Sequence, residues 1–188
     1  MKVLVVIDMQ NDFIDGALGT PEAKAIVPNV KKKIEEAMLN GDIIVFTRDT
    51  HDSDYLNSRE GNKLLVPHCI YKQSGWHIPD ELLPPFTYEH VYVVDKHTFG
   101  YKKLPLVIRD AMKNYTNHYY VPEGFTEIEV VGLCTDICVV SNTLILKAEF
   151  YNEAEISVDA SCCAGVTPET HEAALKTMEM CQINVKRG

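Results

Sequence analysis

A thiol, a carboxylate and an ammonium group stand at separate points of this sequence where they could join in one reaction. The thiol is Cys138, in the run Gly132-Leu133-Cys134-Thr135-Asp136-Ile137-Cys138-Val139. The carboxylate is Asp8, directly after the apolar run Val3–Ile7, and the ammonium is Lys96, directly after Val91–Asp95. A thiol flanked by a base and a cation has the parts of an activated nucleophile: the carboxylate takes the proton and the cation stabilises the thiolate. Taken singly, each residue has a blander reading. A cysteine just past a buried strand is more often a small hydrophobe than a nucleophile, and Lys96 alone would be a surface lysine and Asp8 a loop cap or metal ligand. Thr135 read as a helix N-cap puts Cys138 in the first helical turn, where unpaired N–H groups and the macrodipole favour a thiolate.

A second constellation is Asp49, His51 and His68, with Glu60 as a possible fourth member. Asp-x-His after a strand, with a further histidine in the following loop, supplies hard and borderline donors suited to zinc, manganese or iron. Asp52, Asp54 and His77 compete for the same role, and spacing does not rank them. Cys134 and Cys138 lack the C-x-x-C spacing of a redox pair, and Cys162-Cys163 has no second pair at zinc-ribbon spacing. Cys69, Cys162, Cys163 and Cys181 therefore read as structural or incidental. The segment after the first strand, Asp8-Met9-Gln10-Asn11-Asp12-Phe13, holds no G-x-G-x-x-G and no P-loop, which counts against phosphate chemistry.

The elements that must position these groups follow from periodicity. Short apolar runs predict six strands: Val3–Ile7, Ile43–Thr47, Val91–Asp95, Glu127–Gly132, Glu155–Asp159 and Ile183–Lys186. Three- and four-residue spacing predicts helices over Pro21–Asn40, Leu104–Tyr115, Asp136–Tyr151 and Pro168–Met180, the last after a Thr167 cap. Alternation of this kind, with right-handed crossovers, predicts an α/β Rossmann-like three-layer sandwich: a mostly parallel six-stranded sheet with helices on both faces. In such sheets ligands bind outside the carboxyl ends of the strands, where Asp8, Asp49, Lys96 and Cys138 all fall. The irregular stretch from Arg48 to Glu89 has the length of a binding loop, and His97-Thr98-Phe99-Gly100-Tyr101 either closes the site or packs in the core.

Composition sets the outer bounds. The chain has 188 residues, 46% hydrophobic and 24% charged, and its 18 Lys+Arg against 27 Asp+Glu give a net charge of −9. That length predicts one domain over 1–188, burying about 70% of its unfolded-chain surface without disulfides. No apolar run approaches the roughly 20 residues a bilayer needs, and no signal-peptide pattern follows Val3–Ile7, so cytoplasmic residence with reduced thiols is expected. An acidic chain without a basic stripe is a poor nucleic-acid binder.

Together these motifs resemble the isochorismatase-like cysteine hydrolase superfamily, and within it the nicotinamidase group. The resemblance runs from Val5-Val6-Ile7-Asp8-Met9-Gln10-Asn11-Asp12-Phe13, through Thr47-Arg48-Asp49-Thr50-His51, Pro67-His68-Cys69 and Lys96, to the Cys134–Val139 segment. It implies the same triad, Asp8, Lys96 and Cys138, that the strand-end argument selects. It also implies a divalent metal, zinc first with manganese or iron as alternatives, on Asp49, His51, His68 and Glu60. A non-proline cis peptide at Leu133–Cys134 is implied too, with an oxyanion hole from the backbone N–H groups of Cys134 and Cys138. Phe13 and Leu65 would be walls of the substrate pocket. Two positions depart from the common pattern: Cys134, commonly alanine in relatives, and Leu65, where an aromatic often stands. The implied activity is hydrolysis of a small-molecule amide at a linear C–N bond, nicotinamide to nicotinate in NAD salvage, by a homo-oligomer (dimer or tetramer). The alternative is another small amide or carbamoyl substrate.

Overall fold

A computed structural model describes residues 2–116 and 127–187. Its frame is a six-stranded sheet made of β1 (Lys2–Ile7), β2 (Ile43–Asp49), β3 (Val91–Lys96), β4 (Glu127–Leu133), β5 (Glu155–Ala164) and β6 (Asn184–Lys186), in the order β3-β2-β1-β4-β5-β6. Every neighbouring pair is parallel. Parallel pairing requires crossovers: α1 (Asn11–Ile14), α2 (Pro21–Leu39), α3 (Leu104–Thr116), α4 (Val140–Glu149) and α5 (Pro168–Met180) lie in four of them, and the irregular stretch between β2 and β3, with three short 3-10 turns, makes the fifth.

The period-2 pattern of the central strands divides the core in two. Val3, Val5 and Ile7 of β1 face one cluster with Leu104 and Ile108 of α3, Leu146 of α4 and Leu175 of α5. Leu4 and Val6 face the other, with Phe13 of α1 and Ile26, Val30 and Ile34 of α2. Successive side chains of a strand point to opposite faces, so an uninterrupted apolar run is what a sheet covered on both sides demands. Thr20 caps α2, its Oγ1 accepting from the Ala23 N–H at 3.0 Å, and Thr167 with Thr170 forms the capping box of α5. No helix among the described residues is long and apolar enough to cross a membrane.

Two expectations need correction. The span Asp136–Tyr151 is not one α-helix: Thr135–Val139 winds as a π-turn before α4 begins. The strand expected to stop at Asp159 runs on to Ala164, because pairing with β4 resumes after an irregularity between Val130 and Gly132. Gly132 has φ +120°, and a Cβ there would lie 2.1 Å from the Ile7 carbonyl oxygen. Only glycine permits that approach, and the chain passes from it into Leu133 and Cys134 at the carboxyl edge of the sheet.

Candidate active site

The carboxyl ends of β1, β2, β3 and β4 bring Asp8, Asp49, Lys96 and Cys138 together as the strand-end argument requires. Lys96 is fully buried and is the hub. Its Nζ lies 2.7 Å from Asp8 Oδ2 and 3.3 Å from Asp49 Oδ1, and donates to Cys138 Sγ at 3.4 Å. Asp8, at φ +46°, is turned inward off β1, and the Thr47 hydroxyl donates to its Oδ1 at 2.7 Å.

Burial sets the proton balance. It raises the Asp8 carboxyl above the ordinary value, with Lys96 pulling the other way and Asp49 adding to the rise. The Cys138 thiol is pushed up well above its ordinary value, first by burial and then by the Asp8 charge, against the pull of Lys96. Lys96 is disfavoured as a cation by burial but held charged by Asp8, Cys138 and Asp49, so its pKa rises. The resting Cys138 is therefore a thiol beside the charged Lys96. This differs from the thiolate expected of a helix first turn. Burial outweighs the turn's dipole, and Thr135 is no cap: the N-cap position falls on Cys134, while the Thr135 hydroxyl bonds His171 Nδ1 at 2.8 Å. The Leu133–Cys134 peptide is cis. The Cys134 thiol itself is raised by burial to about 12.

The second constellation also assembles. One donor atom each from Asp49, His51, Glu60 and His68 lies within 4.8 Å of the others. His51 Nε2 is 3.0 Å from Asp49 Oδ2 and 3.6 Å from Glu60 Oε1; His68 Nε2 is 3.6 Å and 3.7 Å from the same two atoms. Ligand bonds of 2.0–2.2 Å in tetrahedral geometry imply donor separations of roughly 3.3–3.6 Å, so the set fits a divalent ion. Nδ1 of His68 is engaged by the Val66 carbonyl at 2.9 Å, which turns Nε2 to the cluster. Asp49 is held ionised, below the usual carboxylate range: burial opposes this, but hydrogen bonds from His51 and His68 and the Lys96 charge prevail. Asp52, Asp54 and His77 are exposed and stand outside the set.

Both centres open on one cavity of about 450 Å³, whose walls include Phe13, Asp49, Glu60, His68, Cys134 and Cys138. Leu65 is not a wall. It is 74% exposed, and its neighbour Leu64 lines the cavity instead. Phe13 stands with its ring centroid 5.5 Å from that of His68. The loop after Lys96 divides its aromatics, Phe99 lining the cavity and Tyr101 packing on the core. Buried Asn142 ties that loop to the nucleophile, its Nδ2 donating to the carbonyls of Phe99 and Cys138 at 2.9 and 2.8 Å. Cys69, Cys162 and Cys163 are buried away from the cavity and Cys181 is exposed, all as free thiols. Sequence reasoning missed Tyr55, which stacks edge-on against both His51 and His68, and Ile137, which lines the cavity one residue before the nucleophile. Tyr55's position four residues after His51 was the available signal.

Comparison with known proteins places this arrangement in context. The isochorismatase domain model matches residues 2–186. Among curated proteins, the nicotinamidase of Saccharomyces cerevisiae is 24% identical over 98% of this chain and 99% of its own length. A probable inactive nicotinamidase of Arabidopsis thaliana is 28% identical over 97% and 89%. Among solved structures, a nicotinamidase from Bacillus subtilis superposes with TM-score 0.79 at 27% identity, covering 99% of both chains. A pyrazinamidase of Pyrococcus horikoshii in complex with zinc gives 0.77 at 24%, over 100% and 99%. An N-carbamoylsarcosine amidase from Thermoplasma acidophilum gives 0.73 at 26%, over 99% and 95%.

Proposed function

Because the chain belongs to the isochorismatase domain family of hydrolases, we propose that it is a nicotinamidase, hydrolysing nicotinamide to nicotinate and ammonia through a thioester on Cys138. The observation that carries this reading is the single cavity lined both by Cys138 and by Asp49, Glu60 and His68 of the four-donor set that His51 completes. A carboxamide placed at one centre sets its pyridine ring beside the other.

Asp8 accepts the Cys138 proton as sulfur attacks the carboxamide carbon, and Lys96 stabilises the charge on sulfur and carboxylate. The raised pKa of Asp8 makes it the stronger base for this step. Backbone N–H groups of Cys134 and Cys138 hold the tetrahedral oxygen. Collapse breaks the C–N bond as Asp8 returns its proton to the departing nitrogen, releasing ammonia and leaving the acyl group on sulfur. Asp8 then takes a proton from water, whose oxygen attacks the thioester. Nicotinate leaves, and the proton restores the thiol. Phe13 forms a flat wall for the ring. Asp49, His51, Glu60 and His68 would hold a divalent ion, zinc first with manganese or iron as alternatives, which would supply a Lewis acid to orient the pyridine ring. The enzyme is further read as a cytoplasmic homodimer or homotetramer, which sedimentation of the purified chain checks.

The second reading is a different small amide or carbamoyl substrate on the same machinery. The likeness to an N-carbamoylsarcosine amidase and a cavity larger than one ring requires favour it. Ammonia release from nicotinamide, pyrazinamide and a panel of carbamoyl and aliphatic amides separates the two. The first reading predicts nicotinamide and pyrazinamide as the best substrates; turnover of other amides with none of nicotinamide overturns it and leaves the hydrolase class standing.

A further inference from the structure

Among the described residues, Asp49 is the one carboxylate that touches both centres, through Oδ1 to Lys96 and through Oδ2 to the histidines. Its own placement is therefore a structural problem, and the chain solves it with a side chain. The β1–β2 ladder pairs Val6 with Phe46 and ends where Asp8 turns off at φ +46°, after a last bond from the Asp8 N–H to the Thr47 carbonyl. On the β1 side of β2, the main-chain N–H and C=O of Asp49 then have no strand left to bond.

Gln10 takes the strand's place. Its Oε1 accepts from the Asp49 N–H at 2.7 Å, and its Nε2 donates to the Asp49 carbonyl at 2.9 Å. The second Nε2 hydrogen goes to the Trp76 carbonyl at 2.9 Å. The Gln10 side chain is fully buried, so each unmade bond would leave a buried polar group unsatisfied. Trp76 is itself fixed: its Nε1 donates to Thr50 Oγ1 at 2.9 Å, and the Arg48 guanidinium sits 3.7 Å over its ring. An amide whose donors and acceptor are spent on main chain, two bonds of three on Asp49, has a positioning geometry rather than a reacting one. Glutamate, the isosteric alternative, would set an oxygen against two carbonyl oxygens.

We propose that Gln10 is a positioning residue that fixes Asp49 between the nucleophile and the metal donors, so that losing its amide loosens both centres together. This rests on the hydrolase reading for turnover and on the metal reading for ion binding, and each can fail separately. The test uses the full chain and cobalt(II) alone as probe, followed by its visible absorption, with kcat and KM for the best amide measured alongside. Gln10→Leu is expected to lower cobalt affinity at least tenfold, in the range seen when a ligand's outer partner is removed, and to lower kcat. Glu60→Gln, which removes a donor from the metal side, is expected to lower cobalt affinity and raise KM. In an Asp49→Asn background Gln10→Leu adds less than twofold, because it acts through Asp49. Should Gln10→Leu fail to fold, Gln10→Met, unbranched and close to glutamine in shape, is measured in the same way with the same expectation. Cobalt affinity within twofold of wild type, or equal losses in the presence and absence of Asp49, overturns the proposal. Wild-type protein that takes up no cobalt overturns the metal reading alone, and Gln10 is decided by kcat; wild-type protein that turns over no amide overturns the hydrolase reading alone, and Gln10 is decided by cobalt.

Discussion

β1 and β4 contribute to a charge cluster near each of their ends, and the two clusters are tuned in opposite directions. At the amino edge, Lys2 and Lys186 meet Glu127, Lys186 also meets Glu129 at 2.7 Å, and Lys33 bridges Glu129 and Asp159. There the partners win over burial. Glu127 is lowered to about 2, despite burial, by Lys186, Lys2 and Ser157, and Lys33 and Lys186 rise. Glu127, Asp159, Lys33 and Lys186 are each held charged more firmly than in water. At the carboxyl edge Lys96 faces two carboxylates and a thiol, and burial wins for Asp8 and Cys138, both of which are raised. A charge that its neighbours satisfy adds stability, whereas a base kept above its ordinary pKa beside a protonated thiol is poised to move a proton.

Removing the hub should break this contrast most. Lys96→Met leaves Asp8 and Asp49 buried without their cation, and breaking such a pair costs about 3–5 kcal/mol. Turnover should fall at least a hundredfold, and denaturant melts with ammonia assays read both losses. A smaller effect concerns pH. Asp8 works as a base only when ionised and its pKa is raised, so kcat should fall on the acid side with a half-point above the ordinary aspartate value of 3.8. A half-point at or below 3.8 in a kcat–pH profile would contradict the burial argument.

The smallest effect lies at the other edge. Because the folded pKa of Glu127 is lowered from 4.5 to about 2, its contribution is complete above about 4.5 and is lost as pH falls toward 2. Glu127→Gln should therefore lower stability by about 1–2 kcal/mol at neutral pH, after allowance for solvent screening. The difference should vanish in acid, with kcat unchanged. Loss of activity in this variant would erase the distinction between the edges.

Much of this was legible in the sequence because strand ends are legible. The apolar runs of β1 to β4 locate their own carboxyl ends, and a parallel sheet brings Asp8, Asp49, Lys96 and the Cys134–Cys138 segment to one edge. The π-turn at Thr135–Val139 was not legible, since an α-helical spacing tolerates one wide turn without losing its apolar face. Nor was the choice of Leu64 over Leu65, two adjacent apolar residues in a loop without period. The end of β5 was missed because Ala160-Ser161-Cys162-Cys163-Ala164 lacks the branched and aromatic residues that mark a strand. The raised pKa values of Asp8 and Cys138 depend on burial, which spacing along the chain does not report.

The central claim is that Cys138 carries the acyl group. The direct measurement is acid quenching of the enzyme during turnover of nicotinamide, followed by peptide mass mapping, with Cys138→Ala in parallel. A nicotinoyl thioester on Cys138, with turnover in Cys138→Ala reduced at least about a thousandfold, is the result expected. An acyl group found on another residue, or full turnover by Cys138→Ala, would contradict it.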